Sequence, residues 1–65
     1  MELIINGDRK DVAAADVAAL VEELGLAGQA VAVEVNERLV PKREHGQVPL
    51  SAGDRVELVT LVGGG

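Results

Sequence analysis

The residues with the clearest chemical potential are the last three, Gly63, Gly64 and Gly65. Glycine has no Cβ and loses the most conformational entropy on being fixed, so three glycines add nothing to a core. We expect them to form a thin, mobile tail (residues 63–65) that ends in a free α-carboxylate. At 3.3–3.6 Å per residue, three residues extend at most about 10 Å, which is enough to carry this carboxylate into a narrow active site of another protein.

A carboxylate in such a tail needs activation before it reacts as an acyl donor. Adenylation by a partner that uses ATP makes it a mixed anhydride, and attack by a sulfur nucleophile then yields a thiocarboxylate. In this scheme the protein is a substrate and group carrier, while its partner is the catalyst. The alternative is a tail without function, since chain ends are commonly frayed.

The internal residues suggest no catalyst. The sequence has no cysteine, which excludes a disulfide framework, a thiolate metal site and a cysteine nucleophile. His45 is the single histidine, without clustered ligands nearby, and we interpret it as solvated rather than metal-binding. Ser51 and Thr60 have no base that the sequence places beside them. We therefore expect a protein that is not an enzyme, that binds no cofactor and that holds no metal.

Composition narrows the class of partner. The 65 residues are enough for one domain, and six basic against eleven acidic residues give a net charge of −5, which disfavours nucleic-acid phosphates. The absence of Phe, Tyr and Trp removes the platforms on which single-stranded bases stack. No apolar run approaches the 18 or more residues of a membrane span, and the first residues do not resemble a secretory signal. We expect a cytoplasmic protein that contacts neither nucleic acid nor membrane.

A hairpin and a helix are predicted in the first half. Residues 3–5 are apolar and precede Asn6-Gly7, a strong signal for a type I′ turn, and residues 8–12 form the returning strand. A helix of about nine residues follows, with Asp16 as N-cap, Gly25 at the left-handed C′ position and Leu26 folded back. Its glutamates, Glu22 and Glu23, are interpreted as solvated. Its apolar face comprises Val17, Leu20, Val21 and Leu24.

The second half predicts three strands and a loop. Alternation predicts a strand over residues 31–35, a turn at Asn36-Glu37 and a short strand, residues 38–40, that Pro41 ends. Residues 42–52 have no period and predict a surface loop, with one turn of helix near residues 42–45 and Leu50 facing inward. Residues 55–62 form the last strand. Together these elements indicate a two-layer α+β domain.

The two faces of the last strand are expected to differ in burial. If the helix covers the face of Val56 and Leu58, then Val59 and Leu61 point the other way. Exposed apolar residues of this kind commonly mark a partner surface, and we take Val59, Leu61 and Val62 as its candidate residues. The alternative for Val59 or Leu61 taken singly is packing at the sheet edge.

In this order, the segments resemble the ThiS family, the sulfur carriers of thiamine biosynthesis. The matching stretches span nearly the whole chain: Ile5-Asn6-Gly7, residues 16–21, Leu24-Gly25-Leu26, residues 31–36, Val40-Pro41-Lys42, residues 50–59 and residues 62–65. The resemblance implies a ubiquitin-like β-grasp fold over residues 1–62, a mixed sheet with one main helix packed on one face, followed by the glycine tail.

The resemblance also implies the partners. A ThiF-type enzyme uses ATP to adenylate Gly65, a sulfur donor protein supplies sulfur for the thiocarboxylate, and a ThiG-type thiazole synthase receives it for the thiazole ring of thiamine. Gly63 and Gly64 thread into the partner. The alternatives are the MoaD-type small subunit of molybdopterin synthase, a ubiquitin-like modifier whose glycine enters an isopeptide bond, and a binding module with an inert tail.

Overall fold

The computed structural model describes residues 1–61, which form a five-stranded sheet with a helix on one face. The elements in chain order are β1 (Glu2–Ile5), β2 (Asp8–Asp11), α1 (Val17–Glu23), β3 (Val31–Val35), β4 (Arg38–Val40), a 3₁₀ helix (Lys42–Gln47) and β5 (Arg55–Thr60). The strand order is β2-β1-β5-β3-β4, in which β1 and β5 are parallel and the other pairs are antiparallel. The predicted α+β architecture, a mixed sheet with one main helix, is confirmed.

The first hairpin forms as its turn dipeptide predicts. Asn6 and Gly7 have φ angles of 49° and 88°, the left-handed values that a type I′ turn requires at both positions. The returning strand is one residue shorter than expected and ends at Asp11. The next residue, Val12, is 4% exposed because the chain there turns toward the core.

Both predicted ends of α1 are confirmed. The Asp16 carboxylate accepts a hydrogen bond from the Ala19 amide at 2.8 Å, which satisfies a free N–H of the first turn. At the other end Gly25 has a φ of 76°, and the Gly25 and Leu26 amides donate to the carbonyls of Glu22 and Val21, both at 2.9 Å. This is a Schellman motif, and it stops the helix after seven residues rather than about nine.

A helix of this length depends on tertiary contacts, because isolated helices shorter than about 12 residues are marginal in water. Its apolar stripe packs against the sheet in a core without any aromatic ring. The side chains with the least exposure are Leu3, Val17, Leu20, Val33 and Val56, each at 0%. Leu50 faces inward as predicted. Within residues 1–61, no helix is long and apolar enough to cross a membrane.

The 3₁₀ helix is longer than the single turn that the sequence predicts. It covers six residues, Lys42–Gln47, within the stretch expected to be a loop. Pro41 directly precedes it, and the Pro41 carbonyl accepts from the Glu44 amide at 2.8 Å. The backbone on either side of Pro49 is anchored to the start of α1, where the Val17 amide donates to Val48 and the Leu50 amide to Ala15.

The second hairpin, between β3 and β4, contains a strained residue. Asn36 and Glu37 have φ angles of 51° and 68°, so this is also a type I′ turn, but it has a glutamate where glycine is preferred. A left-handed conformation costs an L-residue roughly 1–2 kcal/mol through the contact of its Cβ with the carbonyl oxygen.

Replacing Glu37 with glycine should therefore stabilise the domain. We expect E37G to raise the free energy of unfolding by about 0.5–1 kcal/mol, since the relief of strain exceeds the extra entropy of an unfolded glycine. The free energy is measured by urea denaturation, monitored by far-ultraviolet circular dichroism because the chain has no aromatic residue for fluorescence. Gly7→Ala, at a φ of 88°, is the opposite control and should destabilise. A neutral or negative effect of E37G would show that the turn holds no strain.

Candidate functional site

The strand that precedes the predicted tail in sequence, β5, is the central strand of the sheet. β5 is parallel to β1 on one side and antiparallel to β3 on the other. The Leu61 amide donates to the Ala30 carbonyl at 2.8 Å, so pairing with the β3 side continues to the last described residue. Val62, Gly63, Gly64 and Gly65 lie outside the described residues, and the roles assigned to them remain predictions.

Asn6 fastens β5 on the β1 side. Its amide group makes two hydrogen bonds to the backbone of Leu58, 52 residues away: Oδ1 accepts from the Leu58 N–H at 2.9 Å, and Nδ2 donates to the Leu58 carbonyl at 3.2 Å. The Asn6 backbone amide also donates to the Val56 carbonyl at 2.9 Å. β1 ends at Ile5, so its backbone does not reach Leu58. The Asn6 side-chain amide makes these two hydrogen bonds in place of a backbone peptide group.

Asn36 performs the corresponding task on the β3 side, at the start of β5. Its backbone amide donates to the Arg55 carbonyl at 2.7 Å, and its Oδ1 accepts from the Arg55 N–H at 3.0 Å. Its Nδ2 donates to the Asp54 carboxylate at 3.1 Å, whose other oxygen accepts from the Ser51 amide at 2.8 Å. The sequence predicts both asparagines only as turn residues, because neither set of contacts has a local signal.

The face of the sheet opposite α1 carries exposed apolar side chains. Val59 and Leu61 are each 59% exposed, so neither packs at the sheet edge, and Leu39 on β4 is 67% exposed. Val56 and Leu58 are buried under α1 as the alternation predicts. The exposure of Leu39 is not predicted from the sequence, because its strand of three residues is too short to show an alternation.

The strand register places these residues in one continuous surface, which we call the open face: Ala32, Glu34, Leu39, Glu57, Val59 and Leu61. Glu34 is paired with Leu39 across β4 and with Glu57 across β5, and Ala32 is paired with Val59. All of these except Leu61 line a single shallow depression. The open face is therefore apolar toward the end of β5 and acidic at its centre.

The open face contains two neighbouring negative charges that no ion pair among the described residues neutralises. Glu34 and Glu57 are exposed carboxylates directly opposite each other, an arrangement that destabilises a sheet when the charges are alike. The ion pairs found within residues 1–61, between the Met1 ammonium and Asp11 and between Arg43 and Glu44, do not include either of them. No group of metal-ligating side chains occurs in the same residues.

Two other polar residues differ from expectation. Glu23 was interpreted as solvated, but its carboxylate accepts hydrogen bonds from the amides of Ala13 and Ala14, with the shortest at 2.9 Å. It thereby ties α1 to the segment that enters it. His45 is only partly exposed, and its Nε2 is shielded from solvent without a hydrogen-bond partner among the described residues. The sequence predicts a solvated His45, and the structure exposes its side chain only in part.

Comparison with known proteins decides the family. The model of the ThiS family matches residues 3–65, which includes all of the sheet except Glu2, the first residue of β1, and also the glycine tail. The chain belongs to the ThiS family. The resemblance inferred from the sequence segments is confirmed.

Two solved structures of the ThiS type share the fold. The crystal structure of the thiamine biosynthesis protein ThiS from Geobacter metallireducens is 30% identical, with full coverage of both chains and a TM-score of 0.82. A solution NMR structure of a thiamine biosynthesis protein from the same organism is 30% identical, with a TM-score of 0.80, and the match covers 100% of this chain and 88% of that one. The predicted ubiquitin-like β-grasp fold is confirmed.

A curated relative of this ThiS-family chain is much longer. A protein named thiazole synthase from Paramagnetospirillum magneticum (strain ATCC 700264 / AMB-1) is 44% identical over 66 residues. The match covers 100% of this chain and 20% of that protein, so the chain spans about a fifth of the length of the curated relative that it matches.

Replacing Asn6 with glycine should test its contact with β5. Glycine keeps the left-handed turn but removes two hydrogen bonds from the partly buried Leu58 backbone, so we expect N6G to lower the free energy of unfolding by about 1–3 kcal/mol. Asn36→Gly is the matched control, because it adds the same conformational entropy to the unfolded chain. The hydrogen bonds that it removes are exposed to solvent, whereas those of Asn6 are partly buried. Urea denaturation of both variants gives the comparison. An N6G loss no larger than that of N36G would contradict the role of Asn6.

Proposed function

We propose that this chain is a sulfur carrier of thiamine biosynthesis whose C-terminal Gly65 is converted to a thiocarboxylate. The observation that supports this most directly is the ThiS-family match, which extends to Gly65 and so includes the terminal glycines. In this proposal the chain carries sulfur as a group on its own C-terminal residue. The catalysis then belongs to the partners.

The chemistry at Gly65 has two steps. A carboxylate oxygen attacks the α-phosphorus of ATP on a ThiF-type enzyme, which forms an acyl adenylate and releases pyrophosphate. A hydrosulfide equivalent from a sulfur donor protein then attacks the acyl carbon, and AMP leaves with the electron pair of the broken C–O bond. The product is a thiocarboxylate, which passes its sulfur to a ThiG-type thiazole synthase.

The folded body supports this chemistry by presenting the tail. Asn6 and Asn36 hold β5 in the middle of the sheet, and β5 leads toward residues 62–65. Val59 and Leu61 are exposed near the end of the described chain. Their exposure supports the assignment of these two residues, together with Val62, as a surface that contacts the partner. The name of the longer curated relative, thiazole synthase, supports a ThiG-type protein as one of these partners.

Intact mass spectrometry tests the proposal. The protein is incubated with ATP, a ThiF-type enzyme and a sulfur donor, and we expect the mass to increase by the exchange of one oxygen for sulfur, located at Gly65 by fragmentation. Attachment to lysine side chains would instead indicate a protein modifier. An unchanged mass would overturn the assignment as a carrier.

Removal of the last two glycines separates the tail from the body. A variant that lacks Gly64 and Gly65 should lose the mass change completely while its urea midpoint stays within error of the native value, because the core is formed by residues 3–58. The matched control replaces Gly28, an exposed loop glycine with a φ of 86°, by Asn, which tolerates left-handed backbone. This control should keep the reaction. Unfolding of the truncated protein would show that the tail belongs to the body.

A further inference from the structure

The end of β5 is held from one side only. On the β1 side, the last hydrogen bonds among residues 1–61 are those that the Asn6 side chain makes to the Leu58 backbone. On the β3 side, bonding extends three residues further, because the Leu61 amide donates to the Ala30 carbonyl at 2.8 Å. The backbone of residues 59–61 therefore depends on β3 and on the loop that precedes β3.

The bond at Leu61 continues a regular alternation in the β3–β5 ladder. Hydrogen-bonded pairs alternate with non-hydrogen-bonded pairs along antiparallel strands. Since Leu61 bonds to Ala30, the preceding hydrogen-bonded pair is Val59 with Ala32, and the Thr60 amide faces away from β3. Loss of the Leu61 bond would therefore release two residues and lengthen the reach of the chain beyond its last attachment by about 7 Å.

The Ala30 carbonyl is held in place by a β-turn at residues 26–29. The Gln29 amide donates to the Leu26 carbonyl at 3.1 Å, and Gly28, the third residue of the turn, has a φ of 86°. At this position a type II turn requires a positive φ, and hence glycine or asparagine. Leu26 packs against the core, so the turn is joined to the body of the domain.

We infer that the hydrogen bond between Leu61 and Ala30 positions the reactive end of the chain, with Gly28 and Ala30 as positioning residues. The inference rests on the proposed function, because it takes Gly65 as the group that the ThiF-type enzyme adenylates. Anchoring at Leu61 limits the distance to the Gly65 carboxylate to four residues, at most about 14 Å. A group that is already restricted to a small region loses less conformational entropy when it enters an active site.

Two backbone esters in the full-length, chemically synthesised protein test the inference. An ester in place of the amide between Thr60 and Leu61 removes the donor to Ala30 and changes no side chain. An ester between Val59 and Thr60 is the matched control, because it removes an N–H that faces away from β3. With a ThiF-type enzyme and ATP, kcat/KM for pyrophosphate release should fall about tenfold for the Leu61 ester, since additional residues must be ordered. It should stay at the native value for the Thr60 ester.

Removal of Gly63 distinguishes positioning from a general loss of structure. In the native chain, anchored at Leu61, this deletion shortens the reach by about 3.5 Å and should lower kcat/KM about a hundredfold. In the Leu61 ester the two released residues compensate for the missing one, so the same deletion should cost about ten times less. In the Thr60 ester the deletion should cost as much as it does in the native chain.

The variant Gly28→Val gives the same test without chemical synthesis. Valine is strained at a φ of 86°, so the turn should shift and carry the Ala30 carbonyl with it. Gly53→Val is the matched control, because Gly53 has a φ of 88° and equally open surroundings but lies before the start of β5. Both variants should lower the urea midpoint to a similar extent. Only G28V should lower kcat/KM and reduce the cost of removing Gly63.

Hydrogen exchange gives a readout that does not depend on any reaction. In the free protein, the Leu61 amide should exchange with solvent more slowly than the Thr60 amide, as measured by NMR. Equal exchange rates, equal kinetics for the two esters, or equal kinetics for G28V and G53V would overturn the inference and leave the carrier assignment intact. If the native chain is not adenylated at all, the proposed function fails, and the inference fails with it.

Discussion

The position of β5 between β1 and β3 is the constraint on which the rest of the structure depends. Parallel pairing with β1 aligns Ile5 with Val56, and antiparallel pairing with β3 aligns Val33 with Leu58. These registers determine which side chains of β5 face α1 and which face solvent, since a slip of one residue would exchange the two sets. The core and the open face both follow from this placement.

Two asparagines fix this placement in the same way. Each occupies the first left-handed position of a type I′ turn, where asparagine is tolerated better than most residues, and each uses its amide as both donor and acceptor toward β5. Asn6 holds Leu58, and Asn36 holds the Arg55 backbone together with Asp54. The two hairpins thereby serve a second purpose, because each turn also secures the central strand.

The sequence predicts the parts of the fold that have local causes. Asn6-Gly7 predicts its turn, Asp16 and Gly25 predict the ends of the helix, and the alternation along β5 predicts which side chains are exposed. The same local reasoning fails where a contact joins distant segments: the bonds of Asn6 to Leu58 and of Glu23 to Ala13 have no nearby signal. The 3₁₀ helix was underestimated because Gly46 and the flanking prolines interrupt any period.

The candidate site is likewise predictable only where its features have a local cause in the sequence. The parity of Val59 and Leu61 was enough to predict their exposure, whereas Leu39 belongs to a strand of three residues, too short for a clear alternation. The acidic pair could not be predicted either, since Glu34 and Glu57 are 23 positions apart in sequence and only the β3–β5 register brings them opposite each other. The roles of the tail glycines remain a prediction from the sequence alone.

The central location of the last described strand has a consequence for biosynthesis. A ribosome makes β5 after every other strand of residues 1–61, so a nascent chain that stops before about residue 55 has two separate hairpins and no sheet to join them. Because the pairings of β5 with both β1 and β3 are non-local, cooperative folding waits until β5 has left the exit tunnel. Chains that end before β5 therefore stay unfolded, and unfolded chains are exposed to proteolysis.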